Sequence, residues 1–272
     1  MSIPQVGGNI IEHKTQLIEF LANGSKEKSA WKIGTEHEKF IYNKQTFLPL
    51  PYEGKCSIQS ILRELQSSYG WQPIFESRHL IGLKKNGANV SLEPGGQLEL
   101  SGAPLETIHA TCNEASEHLN QVRKIANKLG AGFIGLGAAP NWSEGIMPIM
   151  PKGRYKLMTD YMKKKGGLGT QMMYRTCTVQ VNLDFSSEQD MIKKFRVSLA
   201  LQPLATALFA NSPIFEGQLT GFKSWRSHIW QNLDSDRTGM LPFVFQEGMG
   251  FERYVDYALD VPMYFVYRNG TY

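Results

Sequence analysis

Cysteine is scarce in this sequence: Cys56, Cys112 and Cys177 are the only three among 272 residues, too few and too scattered for a disulfide framework or a four-thiolate zinc site. Packing is the role expected of them. No stretch approaches the roughly 18 unbroken apolar residues of a membrane span, so no membrane partner is expected. Charge of one sign is also in short supply. The formal balance is only +4, whereas nucleic-acid binders gather Lys and Arg into a patch or stripe. The one dense run, Lys163-Lys164-Lys165 with Arg154 and Lys156 upstream, reads as a solvated face, and no nucleic-acid partner is expected. The glycines that follow it in "KKKGGLGT" lack the closing Gly-Lys-Ser/Thr of a P-loop and read as a mobile loop. The six histidines offer no nucleophile–base relay. The opening "MSIPQVGGNIIEHK" has neither a basic leader nor an apolar core ending in small residues, which leaves a cytoplasmic location as the expectation.

What the chain does have is globular composition, 42% hydrophobic and 20% charged. Apolar residues recur at helical spacing from Ile10 to Leu21, and again from Ser57, a plausible N-cap, through Ile58, Ile61, Leu62 and Leu65 to Gly70. A long helix is expected from Pro104 to Gly130, with Leu105, Ile108, Cys112, Ala115, Leu119, Val122, Ala126 and Leu129 along its stripe. Another should start at Ser187, capped with Asp190 three residues on, and run to about Ala210 with a bend at Pro203. Between these lie β-rich runs. "WKIGTEHEKFIYN" and "HLIGLKKNGANVSLEP" read as strands, the second folded at Asn86-Gly87. "GFIGLGAAP" reads as a buried strand. In "RTCTVQVNLDF", Cys177, Val179, Val181, Leu183 and Phe185 point one way, and Thr176, Thr178, Gln180, Asn182 and Asp184 the other. Hairpins and strands joined by single long helices predict an α+β fold with a mainly antiparallel sheet, helices packed on one face and the polar face open. No repeat or linker divides residues 1–272, so a single domain is expected.

Two carboxylates one residue apart in "IGTEHEKF" pose the functional question. On a strand Glu36 and Glu38 share a face about 7 Å apart, and two anions so placed raise each other's pKa unless a cation lies between them. Glu93 precedes a Pro-Gly-Gly turn in "SLEPGGQLELSG", after which Gln97 and Glu99 again share a face. With the polar row from Thr176 to Asp184, the donors are oxygen-rich and contain no paired histidines or thiolates. That set suits a hard cation such as Mg²⁺, which completes its shell with water and substrate phosphates. Each segment alone is equally readable as a wet sheet face or a solvated edge. The implied partner of the three together is a nucleotide.

The stretches "GTEHEKF", "LEPGGQLELSGAPLETIH", "MPKGRYKLMTDYM", "MMYRTCTVQVNLDF", "LALQPLATALFANSPIFEG" and "RSHIWQNLDSDRTGMLPFVFQEGMGFERYVDYALDVPMYFVYR" resemble, in order, the plant and proteobacterial type of glutamate–cysteine ligase, over roughly residues 30–272. The resemblance implies a glutamine-synthetase-like fold with a curved antiparallel sheet whose concave face holds Mg²⁺ and ATP. It implies ATP-dependent joining of the glutamate γ-carboxylate to the cysteine amine through a γ-glutamyl phosphate, the first step of glutathione biosynthesis. Carried onto this sequence, it makes Glu36, Glu38, Glu93 and Glu99 metal ligands, and sets Gln180 and Asn182 against metal and nucleotide. Arg226 and Arg237 become catalytic anion ligands, with a surface salt bridge as the alternative for each. Arg154, Tyr155, Met173 and Thr176 would line the amino-acid pocket with Met172, and "GGLGT" would be a lid. Members of this family run longer, so the resemblance also implies a chain cut short on its C-terminal side. Two other readings stay open: a related carboxylate–amine ligase with another acceptor, and a fragment that binds ATP or glutamate without chemistry.

Overall fold

A computed structural model describes residues 8, 10–268 and 271–272. The opening stretch read for a leader therefore lies largely outside the described residues. Among those described, the order is α1 (Lys14–Ala22), β1 (Ile33–Asn43), α2 (Ile58–Tyr69), β2 (Gln72–Glu76), β3 (His79–Lys85), β4 (Ala88–Leu92), β5 (Leu98–Ser101), α3 (Ile108–Leu129) and β6 (Ala131–Ile134). It continues with α4 (Gly153–Lys165), α5 (Gly169–Arg175), β7 (Val179–Leu183), α6 (Glu188–Phe209), β8 (Ile214–Phe215), β9 (Gln218–Leu219), α7 (Trp225–Gln231) and α8 (Phe251–Asp260). Strands β1 to β7 form one open sheet in the order β2-β3-β4-β5-β1-β6, with β7 also paired to β1, while β8 and β9 form a separate hairpin. Every pairing in the large sheet is antiparallel. The α+β expectation is met, in a form consistent with the glutamine-synthetase-like arrangement. None of the described helices is long and apolar enough to cross a membrane.

Local chemistry explains the elements that matter for the site. Ser57 caps α2 by accepting from Ser60 N–H, and Gly70 ends it in the left-handed region at φ 71°, where glycine carries no Cβ penalty. Asn86 and Gly87 take φ of 49° and 83°, the two positive values a tight hairpin between twisted strands requires. Under the sheet, Ile58, Ile61, Leu62 and Leu65 of α2 and Val122, Ile125 and Ala126 of α3 pack against Ile41, Leu83, Val90, Leu92, Leu98 and Leu100. Those aliphatics are essentially removed from water, so each Val, Leu or Ile among them contributes on the order of 1.5–3 kcal/mol through burial.

Several expectations are corrected here. The long helix begins at Ile108 with Thr107 as its N-cap, because Leu105 is drawn off to exchange hydrogen bonds with Ile33 at 2.7 and 2.9 Å. Its buried stripe is Thr111, His118, Gln121, Val122, Ile125 and Ala126, so Cys112 is exposed rather than packed. The strand read in "GFIGLGAAP" stops at Ile134. The apolar side of β7 is not covered: Val179, Val181 and Leu183 are all more than half exposed. Lys163, Lys164 and Lys165 are exposed in the last turn of α4, so the solvated face they were read as belongs to a helix. The proposed lid is a fastened connection, since Leu168 N–H bonds Asn232 O at 2.9 Å and a side chain at Gly167 would collide with that same carbonyl.

Candidate active site

Strand pairing decides which carboxylates meet. In the β1–β5 register Glu38 stands opposite Glu99 and Glu36 opposite Ser101; across β4–β5, Glu99 faces Ser91. Ser91 Oγ donates to Glu99 Oε2 at 3.0 Å and Ser101 Oγ to Glu99 Oε1 at 2.5 Å. On the other edge of β1, Glu36 pairs with Gln180 and Gly34 with Asn182. Gln180 Nε2 and Asn182 Nδ2 therefore reach Glu36 at 3.2 and 3.0 Å. Glu38 accepts the Thr178 backbone N–H at 2.9 Å.

Glu93 arrives from the Pro-Gly-Gly turn. A side chain at Gly95 would run into the Tyr174 backbone, and one at Gly96, already at φ 81°, into Ile58. The two glycines let the turn press against α5 and α2 and carry Glu93 inward. Gln97 ties it further, donating to Thr176 O at 2.8 Å and Met173 O at 3.3 Å.

Above this floor lies a cavity of about 530 Å³ lined by Glu38, Glu93, Gln97, Arg154, Tyr155, Met172, Met173, Thr176, Gln180 and Arg226, with Trp230, Tyr264 and Phe265 among its other walls. The residues assigned to the amino-acid pocket, Arg154, Tyr155, Met173 and Thr176, all face it. Glu99 stands behind the lining, Glu36 and Asn182 lie one pleat along the sheet, and Arg237 does not reach it. Arg237 instead donates to Asp234 at 2.5 Å and to the Tyr161 hydroxyl at 2.7 Å, with its guanidinium over Tyr161 and Tyr264. Asp234 is 1% exposed, so this is an internal ion pair rather than a surface one.

The electrostatics are those of a floor with too much negative charge. Burial, then the nearby charges of Glu93 and Glu99, push Glu38 up to about 8, against the opposing pull of the Thr178 N–H and Arg226. Burial and Glu99 likewise raise Glu93, which shares a hydrogen bond with Glu99, while Lys152 and Arg154 oppose that rise. Arg226 is pulled down by burial and supported by Glu38. A cation among these carboxylates would relieve the strain, as the shared face of Glu36 and Glu38 suggests.

The fit to a metal is narrower than the sequence reading supposed. Among the described residues no three His, Cys, Asp or Glu side chains are disposed to hold one ion together. The expected four-carboxylate cage is thus corrected to a floor of pairs, because Glu36 is taken up by amides and Glu99 by serine hydroxyls. Oxygen donors in ones and twos still fit Mg²⁺, which dehydrates reluctantly and binds through one or two carboxylates plus phosphates and water.

Sequence reasoning missed Lys152. It is 3% exposed, donates to Leu92 O at 2.7 Å, and is pulled down by burial against the charge of Glu93. Tyr155 donates to the same carbonyl at 2.6 Å, so both brace the strand end that delivers Glu93. The signal was the motif "MPKGRY" itself, where a lysine beside Arg154 reads as surface. Met158, Trp230, Tyr264 and Phe265 were also missed as cavity residues, whereas Thr178 belongs to the polar row read from the sequence.

The sequence model described as glutamate-cysteine ligase family 2 (GCS2) matches residues 32–272. Glutamate–cysteine ligase A, chloroplastic, of Oryza sativa subsp. japonica is 58% identical over 95% of this chain and 52% of its own length. The chloroplastic enzymes of Brassica juncea and Arabidopsis thaliana are 58% and 57% identical over the same share, covering 50% and 49% of theirs. The chain spans about half the length of the curated relatives it matches. The relatives' names place them in the chloroplast, which overturns the cytoplasmic expectation.

Proposed function

This chain belongs to glutamate-cysteine ligase family 2, and from that premise we propose that it carries the carboxylate floor and amino-acid pocket of an ATP-dependent glutamate–cysteine ligase, acting as one domain. The reaction would join two small molecules. A γ-carboxylate oxygen of glutamate attacks the γ-phosphorus of ATP and ADP leaves. The cysteine amine, having lost its ammonium proton, then adds to the acyl phosphate carbonyl and expels inorganic phosphate, giving γ-glutamylcysteine. The observation that carries this reading is the meeting of Glu38, Glu93, Arg154 and Arg226 at one cavity. Carboxylates crowded against one another stand there beside two arginines.

Bound Mg²⁺ and ATP would supply the phosphoryl group and neutralise its charge. Glu38 and Glu93 would hold the cation, with Glu99 behind them and Glu36, Gln180 and Asn182 extending the polar floor. Arg226, its Nε without a hydrogen-bond partner among the described residues, would take a phosphate or carboxylate oxygen, since phosphoryl transfer depends mainly on positioning and charge neutralisation. Arg154 and Tyr155 would orient glutamate, with Met173 and Thr176 closing the pocket and excluding water from the acyl phosphate. Arg237 would act through Tyr264, which its guanidinium holds in the cavity wall. ADP and phosphate release measured with glutamate and a panel of amines tests the reading. Cysteine should stimulate turnover most; stimulation by another amine alone would assign a different ligase, and Mg-ATP binding without any ADP would assign a binding role.

A further inference from the structure

The sheet has a second cavity, of about 450 Å³, on its helix side, and its origin lies in how β1 changes partners. On one edge β1 pairs with β7 at residues 33–37 and with β6 at residues 40–43. Neither strand is registered against Glu38 and Lys39, and the cavity opens at that changeover, between the ends of β6 and β7 and the flank of α3. Its walls include Leu119, Val122, Phe133 and Ile134. The alternation that sends the Glu38 carboxylate to Thr178 and the active-site cavity sends Lys39 the other way.

Lys39 is 8% exposed. The only hydrogen bond of its ammonium among the described residues goes to a backbone carbonyl, His37 O, at 3.1 Å, and no carboxylate there lies close enough to form an ion pair with it. An enclosed ammonium with one neutral acceptor is costly, because the charges of Glu38 and Glu99, which lie beyond ion-pair distance, only partly repay its desolvation. Two more cations line the same space. Lys44 bonds the neutral Asn127 Oδ1 at 2.8 Å, and Arg123 is exposed. The only acid among the lining residues is Glu38.

We propose that this cavity binds a small organic monoanion, a carboxylate with an apolar body, whose charge is met by Lys39 and whose apolar part lies against α3 and β6. One enclosed cation matches one charge, and apolar walls disfavour a polyphosphate. The volume lies within the range of small-molecule sites. A ligand here would rest directly behind the β1 segment that presents Glu38. The proposal does not depend on the ligase reading.

The test is a ¹⁹F NMR titration of the whole chain with 4-(trifluoromethyl)benzoate, repeated with its neutral amide. Saturable binding of the carboxylate is expected, weakened about tenfold or more in the amide and in Lys39→Met, as for loss of one charge-assisted bond. Arg123→Glu, on the exposed helix flank where folding is not at stake, should weaken it about threefold through charge reversal. Arg226→Met should leave it unchanged. Equal binding of the amide overturns the proposal, as does full affinity in both Lys39→Met and Arg123→Glu. Loss of binding in Arg226→Met would move the probe to the active-site cavity, and absence of saturation by about 10 mM would remove the site altogether.

Discussion

Between Ile33 and Met150 the strands and helices bury their apolar side chains against one another; between Val179 and Phe209 the chain displays them. Leu62, Leu65, Val90, Leu92 and Leu98 have no exposure at all, while Leu208 is 69% exposed. The 22-residue helix α6 buries only Leu199, and every residue of β7 is exposed. The two regions divide the candidate site between them. Glu38, Glu93 and Glu99 rise from the tightly packed one, so their mutual repulsion is held in place by a core that cannot relax cheaply. Gln180, Asn182 and Arg226 come from or beyond the loosely covered one. The floor of the site is thus rigid, and part of its wall rests on elements of low local stability.

Urea denaturation would break this contrast most directly. Leu65→Ala should cost about 2–5 kcal/mol, as expected for a fully buried leucine. Leu204→Ala, on the exposed face of α6, should cost no more than about 0.5 kcal/mol. Equal losses would show that the second region is packed as firmly as the first.

A smaller effect should come from pH. A carboxyl whose pKa is raised on folding binds a proton more tightly in the folded state, so it stabilises the fold at low pH and loses that contribution as pH climbs through the folded value. Glu38, raised to about 8, and Glu93, raised in the same direction, should make the metal-free protein less stable at pH 8.5 than at pH 5.5. Urea midpoints across that window should fall, and Glu38→Gln should flatten the slope. Added Mg²⁺ at the alkaline end should restore part of the loss if these carboxylates hold it. A midpoint that rises with pH would refute the crowding of the floor.

The smallest effect concerns the α5 wall of the cavity, between the two regions in sequence. Arg175 is fully buried and joins Gln171 at 2.6 Å and Glu216, at the β8–β9 turn, at 2.9 Å, with its guanidinium 3.7 Å from the Phe215 ring centre. Glu216→Gln should cost about 1 kcal/mol by thermal or urea unfolding, less than a fully buried pair because Glu216 is 56% exposed. Hydrogen exchange should quicken at Met172 and Met173 of α5 if the pair steadies that wall.

Much of the floor was legible in sequence because the period of two in "GTEHEKF" and "GQLEL" fixes which carboxylates share a face without further knowledge. The caps Ser57 and Gly70 and the Asn86-Gly87 turn were legible for the same reason: each is a local requirement. The rest was set by distant partners. The stripe of α3 shifted because Leu105 pairs with Ile33, and a helical period of 3.6 accommodates Thr111, His118 and Gln121 as readily as Cys112 and Leu119. Lys152 could not be recognised as buried without Leu92 O and Glu93 to receive it. Arg237 has the sequence context of an anion ligand, yet Asp234, three residues before it, claims it first.

The central claim is that the carboxylate floor grips a nucleotide through a divalent cation. Isothermal titration of ATP with and without Mg²⁺, into the parent chain and Glu38→Gln, tests it directly. Saturable binding that requires Mg²⁺ and weakens about tenfold or more in the variant, the loss of one charged ligand, is the predicted result. Binding of equal strength in EDTA, or an unchanged affinity in Glu38→Gln, would contradict it.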